Sequence, residues 1–205
     1  MNQAVADVQS MEAKLSEYDF IALIDASGSM GERDMNGKAR WDYMQESVTA
    51  FIRDLEKFDS DGIDVVLFGG SVTVHQGVTT DKVKEVFSSR APRGSTPLAE
   101  ALEAGLKCAG KSSKKDFIIV FTDGVPDDAN RAADVIRAQT NKQASDDDLT
   151  ILFVQVGHDT AASSWLKGLD DNLKGAKFDI VDAKTIDEAE KFHSTAELII
   201  AAISD

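Results

Sequence analysis

Residues 20–31 read Phe20-Ile21-Ala22-Leu23-Ile24-Asp25-Ala26-Ser27-Gly28-Ser29-Met30-Gly31, an apolar run followed by a short polar segment. The continuous apolar run is typical of a strand that is buried on both faces of a parallel sheet. Asp25 follows it directly, at the edge where open α/β sheets bind their ligands. Since side chains alternate along an extended chain, we expect Asp25, Ser27 and Ser29 to converge on one point.

Two later segments offer the same kind of oxygen atoms. Thr96 lies in Arg93-Gly94-Ser95-Thr96-Pro97, and Asp123 follows a second apolar run at 117–122. Carboxylate and hydroxyl oxygens are the ligands that Mg²⁺ and Ca²⁺ take in proteins. The sequence therefore predicts a metal site at one edge of a sheet, formed by Asp25, Ser27, Ser29, Thr96 and Asp123.

Apolar runs alternate with helical patterns along the chain, which predicts an α/β fold. We expect a doubly wound, Rossmann-like sheet that is mostly parallel, with helices on both faces and one short antiparallel edge strand. The strands are predicted at 20–24, 63–68, 71–75, 117–122, 149–156 and 178–181, with the strand at 71–75 antiparallel. The last helix is predicted at 186–203. Residues 1–17 are interpreted as an N-terminal extension and residues 18–205 as one domain.

Composition excludes several classes of partner. The net charge of −14 argues against nucleic acid and anionic membranes, because both need neutralisation by Lys and Arg. Cys108 is the only cysteine, so the chain has no internal disulfide and no cysteine-based zinc site. No run approaches the ~20 apolar residues of a membrane span. We expect a cytoplasmic protein.

The three segments together resemble the von Willebrand factor A domain family. The matching elements are Asp25-Ala26-Ser27-Gly28-Ser29, then Thr96 before an apolar helix, then Thr122-Asp123-Gly124 after an apolar strand. The resemblance covers about residues 18–203, with all five motif positions present. It implies a metal-ion-dependent adhesion site that holds Mg²⁺, or Mn²⁺ or Ca²⁺. In that site, an Asp or Glu of a protein partner supplies the missing metal ligand.

The resemblance also indicates a setting for the protein. Members of the family inside cells commonly work beside AAA-type ATPases or in stress-response assemblies, and this disulfide-free chain is similar to the bacterial and phage members. One departure is Ser95, where many relatives carry a second glycine before the threonine. This departure leaves Thr96 available as a ligand.

Two alternatives stay open beside a non-enzymatic binding module. The first is a Mg²⁺-dependent hydrolase of phosphate esters, because Asp after the first strand of such a sheet also occurs in haloacid-dehalogenase phosphatases. Those enzymes need a second acid two residues further on, where this chain has Ser27. The second alternative is a structural subunit whose site is vestigial.

Overall fold

The computed structural model describes residues 2–205, with side chains described from residue 9 onward. The strands of this part are Tyr18–Asp25 (β1), Ile63–Gly69 (β2), Ser71–Val78 (β3), Lys115–Thr122 (β4), Leu149–Gln155 (β5) and Val181–Thr185 (β6). Its α-helices are Asn2–Leu15 (α1), Arg40–Leu55 (α2), Thr80–Ser88 (α3), Leu98–Cys108 (α4), Ala129–Thr140 (α5), Thr160–Asn172 (α6), Ile186–Ala189 (α7) and Thr195–Ile203 (α8).

The six strands form one sheet in the order β3-β2-β1-β4-β5-β6. All neighbouring pairs are parallel except β2 and β3, which are antiparallel. The predicted architecture is therefore confirmed, including the antiparallel edge strand. β1 and β4 are neighbours at the centre of the sheet, and their parallel register places Ile24 beside Phe121. This central position explains why both runs are continuously apolar.

Two hydrophobic cores lie on opposite faces of the sheet, and successive residues of β1 alternate between them. Ala22 and Ile24 belong to the core beneath α1, α2, α3, α7 and α8. Ile21 and Leu23 belong to the core beneath α4, α5 and α6. Because both faces are covered, the polar residues that follow the strands are left at the carboxyl edge of the sheet.

The connections that follow β1 and β4 lie on opposite faces of the sheet. It leaves β1 toward α2 on one face of the sheet and leaves β4 toward α5 on the other face. A crevice opens at such a switch point, outside the carboxyl ends of the two strands. Asp25 and Asp123 border this crevice from its two sides.

The structure extends the antiparallel strand β3 to Val78, beyond the predicted end at 75, and corrects two further elements. The sixth strand runs over Val181–Thr185 and not 178–181. Lys177, just before the predicted start, donates from its backbone N–H to Thr140 Oγ1 and from Nζ to the Gln143 carbonyl, which holds the chain there near the end of α5. The predicted helix at 186–203 is divided into α7 and α8. Ser194 accepts a hydrogen bond from Glu197 N at 3.2 Å and so starts a new helix there.

Helix α1 occupies most of the segment interpreted as an extension. It lies against α8, and Leu15 is fully buried in the same core as α2. Lys14 Nζ donates to Ser204 Oγ at 3.4 Å. Within residues 2–205, no helix combines the length and the hydropathy that crossing a bilayer would need.

A matched pair of valine substitutions tests the position of β4. Val120 on β4 is fully buried, whereas Val74 on the edge strand β3 is 42% exposed. Val120→Ala should lower the free energy of unfolding by about 2–4 kcal/mol, through lost burial and the cavity it leaves. Val74→Ala should cost less than about 1 kcal/mol. Denaturant melts that give equal losses would contradict the central position of β4.

Candidate metal site

Asp25 is the last residue of β1, and its carboxylate is buried at the crevice. It accepts hydrogen bonds from Ser27 N at 2.8 Å and from Thr122 Oγ1 at 2.7 Å. Burial raises the pKa of Asp25 to about 6, and the negative charge of Asp123 acts in the same direction. The hydrogen bonds from the side chain and backbone of Ser27 and from Thr122 only partly offset this rise. Among residues 9–205, no cationic side chain lies within 4.0 Å of this carboxylate.

A chain of hydrogen bonds joins three further predicted ligands. Ser27 Oγ lies 3.1 Å from Ser29 Oγ, and Ser29 Oγ donates to Asp123 Oδ1 at 2.9 Å. Residues 28–31 form a 3₁₀ turn directly after Ser27. The structure therefore brings Asp25, Ser27, Ser29 and Asp123 together in one group.

Thr96 reaches the same edge on a loop that is held by its backbone. Arg93 N donates to Ala26 O at 2.9 Å, and Gly28 N donates to Gly94 O at 3.0 Å. Thr96 itself is 9% exposed, and its backbone N–H donates to Asp127 Oδ1 at 3.0 Å. Among the described side chains, no hydrogen bond joins the Thr96 hydroxyl to the other four residues.

The backbone at the end of β2 lies in close contact with the backbone that follows Asp25. A Cβ atom at Gly69 would lie 2.3 Å from the carbonyl oxygen of Ala26, so only glycine fits there. The next residue, Gly70, donates its N–H to Ser95 O at 2.9 Å. Ser95 thus contributes a carbonyl to the loop contact while its side chain stays exposed. The serine at this position leaves the loop in place beside the site.

Arg40 is the main residue that sequence reasoning missed. It is the first residue of α2, and its side chain is 9% exposed. Its NH1 donates to Asp123 Oδ2 at 2.8 Å, and its Nε donates to Asp34 Oδ1 at 3.0 Å. Its NH2 also lies 3.0 Å from a carboxylate oxygen of Glu32. The single charge of the guanidinium therefore faces three carboxylates and compensates Asp123 in part.

The backbone at Gly157 packs against this guanidinium. A Cβ atom there would lie 2.8 Å from Arg40 Nε, and the φ of +77° also favours glycine. The bond with Asp34 and the contact with Asp123 raise the pKa of Arg40, while Arg40 lowers the pKa of Asp34. Arg40 and Asp34 do not belong to the predicted motif. An arginine at the start of a helix does not indicate such a role in a single sequence.

Two further polar residues support the predicted ligands. Thr122 orients the Asp25 carboxylate through its hydroxyl. Asp128 caps α5, accepting from Arg131 N at 2.9 Å, whereas Asp127 pairs with the backbone of Thr96.

The donor set suits a hard divalent cation. Two carboxylates and neutral hydroxyl oxygens face one crevice, which is the chemistry that Mg²⁺, Mn²⁺ and Ca²⁺ accept. The two carboxylates differ, because Asp123 has Arg40 as its counter-ion and Asp25 has none among the described residues. A buried carboxylate without a cation is costly, so the site fits a metal ion.

Comparison with known families identifies the fold. The sequence profile described as "von Willebrand factor type A domain" matches residues 20–125, which is more than half of the chain. The chain therefore belongs to the von Willebrand factor type A domain family. A comparison with curated protein sequences finds no significant match.

Solved structures with the same fold include a minor pilin and a matrix protein. Manganese-loaded TRAP protein of Plasmodium vivax superposes with a TM-score of 0.62 at 19% identity, over 92% of this chain and 74% of that one. The D319A mutant of the PilB minor pilin from Streptococcus sanguinis gives 0.61 at 14%, over 92% and 60%. Mussel byssus proximal thread matrix protein 1, with a zinc-occupied MIDAS motif, gives 0.58 at 17%, over 91% and 46%. At these identities the likeness shows the fold alone.

Removal of the Arg40 charge should destabilise the protein strongly. Arg40→Gln leaves the buried Asp123 carboxylate without its counter-ion, so the free energy of unfolding should fall by about 3–5 kcal/mol. Arg53→Gln is the matched control, because Arg53 is 66% exposed and lies 3.9 Å from Asp54. The control should cost about 0.5 kcal/mol or less. Similar losses in the two variants, measured by urea denaturation, would show that the Arg40–Asp123 pair is not structurally important.

Proposed function

We propose that this protein is a divalent-metal-dependent protein-binding module. A cation held at the crevice would offer an open coordination position to an Asp or Glu side chain of a partner. The observation that carries this proposal is the Asp25 carboxylate, which is buried without a cationic partner among the described residues and beside further oxygen donors. Membership of the von Willebrand factor type A family supports it.

Each predicted ligand has a distinct part in this proposal. Asp25 would supply an uncompensated negative charge, and Ser27 and Ser29 would supply neutral oxygens. Thr96 would approach from its own loop, and Asp123 would act through Oδ1, since its Oδ2 is bonded to Arg40. Mg²⁺ suits this sparse set because it keeps several waters. Relatives described as manganese-loaded and zinc-occupied support a divalent cation in general.

The charge balance favours an acidic partner. Arg40 compensates Asp123 only in part, because its single charge is shared with Asp34 and Glu32. With Asp25 and a partly compensated Asp123 as its charged ligands, a divalent cation would keep part of its positive charge. The remaining positive charge would attract a carboxylate over a short distance. The net charge of −14 acts against an acidic partner at long range, but salt screens that repulsion beyond about 10 Å.

The hydrolase alternative has less support than the binding module. Asp25 is held as a hydrogen-bond acceptor by Ser27 N and Thr122, and the second acid that such enzymes need is replaced by Ser27. We therefore propose a non-enzymatic role. An AAA-type ATPase or a stress-response assembly stays the predicted partner, and a cytoplasmic location stays a prediction.

Metal addition should stabilise the wild-type protein. At a Mg²⁺ concentration 100-fold above its dissociation constant, ligand linkage predicts about 2.7 kcal/mol, which thermal melts would record as a higher Tm. Asp25→Asn should abolish the shift, because it removes the charge that no described side chain balances. The matched control is Asp171→Asn, whose side chain is exposed on α6 and pairs with Lys167. An equal Mg²⁺ shift in wild type and Asp25→Asn would refute the assignment.

Partner capture should depend on the metal and resist salt. Immobilised protein should retain its partner in Mg²⁺ and release it in EDTA, and Thr96→Ala should weaken retention. Moderate salt should leave capture unchanged or improve it, because direct coordination is hardly screened. Capture that survives EDTA and both Asp25→Asn and Thr96→Ala would place the interface elsewhere.

A further inference from the structure

Three arginines lack an acidic partner among residues 9–205, although the chain is strongly acidic. Of the seven arginines in the sequence, four have a carboxylate oxygen within 4.0 Å: Arg40, Arg53, Arg131 and Arg137. Among residues 9–205, no carboxylate lies within that distance of the other three, Arg33, Arg90 and Arg93. With 36 acidic residues available, unpaired arginines are unexpected on this surface.

Arg90 and Arg93 both lie at the edge of the sheet that carries the metal site. The backbone N–H of Arg93 donates to the carbonyl of Ala26, the residue after Asp25. Arg90 donates to Ser71 O at 2.8 Å, where β3 begins beside the carboxyl end of β2. Arg93 is exposed and Arg90 is half-buried. The two cations therefore border the loop that carries Thr96.

Among residues 9–205, neither guanidinium has a carboxylate counter-ion within 4.0 Å. The hydrogen-bond acceptors of Arg90 are neutral: two backbone carbonyls and the hydroxyls of Ser71 and Thr73. Partial burial lowers the pKa of Arg90, and the positive charge of Arg93 lowers it further. Like charges on residues three positions apart repel each other, and an anion from another molecule would relieve the repulsion.

An exposed apolar residue lies on the other side of the crevice. Val125 follows Asp123 by two residues and is 43% exposed, and only Val74 is comparable among the described large apolar side chains. A protein segment could cover Val125 while its acidic residues meet the positive charges. A polyanion such as nucleic acid would gain little from it and would meet a protein of net charge −14.

We propose that Arg90 and Arg93 form a second anchor for an acidic protein segment with two carboxylates. One carboxylate would coordinate the cation at the crevice, and the other would pair with the two guanidiniums. This inference rests on the proposed function, because it assigns the partner's first carboxylate to the metal. It adds the requirement that a partner carry two acidic residues at a fixed spacing.

Fluorescent peptides provide a direct test. One peptide carries a single Asp in a glycine chain, and the others carry two Asp residues separated by about one to six glycines, which spans about 7 to 24 Å when extended. Binding is measured by fluorescence polarisation in Mg²⁺ at low salt, with up to about 1 mM protein. The best two-Asp peptide should bind about threefold to tenfold more tightly than the one-Asp peptide.

Charge reversal at Arg93 should remove this preference. In Arg93→Glu the ratio of the two affinities should fall to one or below, and Arg93→Gln should give an intermediate ratio. Arg53→Glu is the control, since Arg53 is exposed on α2, and its ratio should match wild type. Circular dichroism checks that the variants are folded. Two outcomes would overturn the second anchor. In the first, no two-Asp peptide binds more tightly than the one-Asp peptide, whatever its spacing. In the second, Arg93→Glu leaves the preference unchanged.

The same experiment separates the two proposals. If EDTA abolishes binding of the one-Asp peptide but no two-Asp peptide binds better, only the second anchor is wrong. If EDTA leaves one-Asp binding unchanged, the metal-dependent function is wrong. Absence of binding by every peptide contradicts both. A single-stranded oligonucleotide is tested in the same way. If it binds more tightly than all peptides and Arg93→Glu abolishes that binding, the ligand is a polyanion and the proposal of an acidic protein segment is wrong.

Discussion

The buried carboxylate of Asp25 is the constraint on which the site depends. It lies at the end of the central strand β1, where the parallel register with β4 brings Thr122 within hydrogen-bonding distance. The first turn after the strand returns Ser27 N to the same carboxylate. The sheet thus fixes the position of the charge, while burial raises the pKa of Asp25 to about 6. The structure holds an acidic group in a place that a cation would stabilise.

Asp123 lies across the crevice in a different electrostatic setting. Arg40 binds its Oδ2, and the guanidinium is itself held by Asp34 and packed against Gly157. Only Oδ1 of Asp123 faces the serine hydroxyls, through the bond from Ser29. This division gives the proposed metal one carboxylate that no described cation balances and one that Arg40 partly compensates. Such a site would bind a cation less tightly than two free carboxylates would, and would leave it more attractive to an acidic partner.

Much of this arrangement is predictable from sequence, for physical reasons. Apolar runs such as 117–122 have to be buried on both faces, and glycine-rich polar segments after them must lie at the sheet edge. Four of the five predicted residues, all but Thr96, are joined by hydrogen bonds. Arg40 could not be predicted, because its contact with Asp123 spans 83 positions and its residue type is ordinary for a helix start. The break in the last helix was missed because the capping by Ser194 competes with an apolar stripe that continues past it.

The most direct test of the account is a crystal structure of the protein soaked in Mn²⁺, with anomalous data collected for the metal. We expect one strong anomalous peak in the crevice, about 2.1 Å from oxygens of Asp25 and the two serines, with Arg40 still bound to Asp123. A peak only elsewhere, for example at the carboxylates of Asp170, Asp182 and Asp205, would contradict the assignment of the metal site to the end of β1.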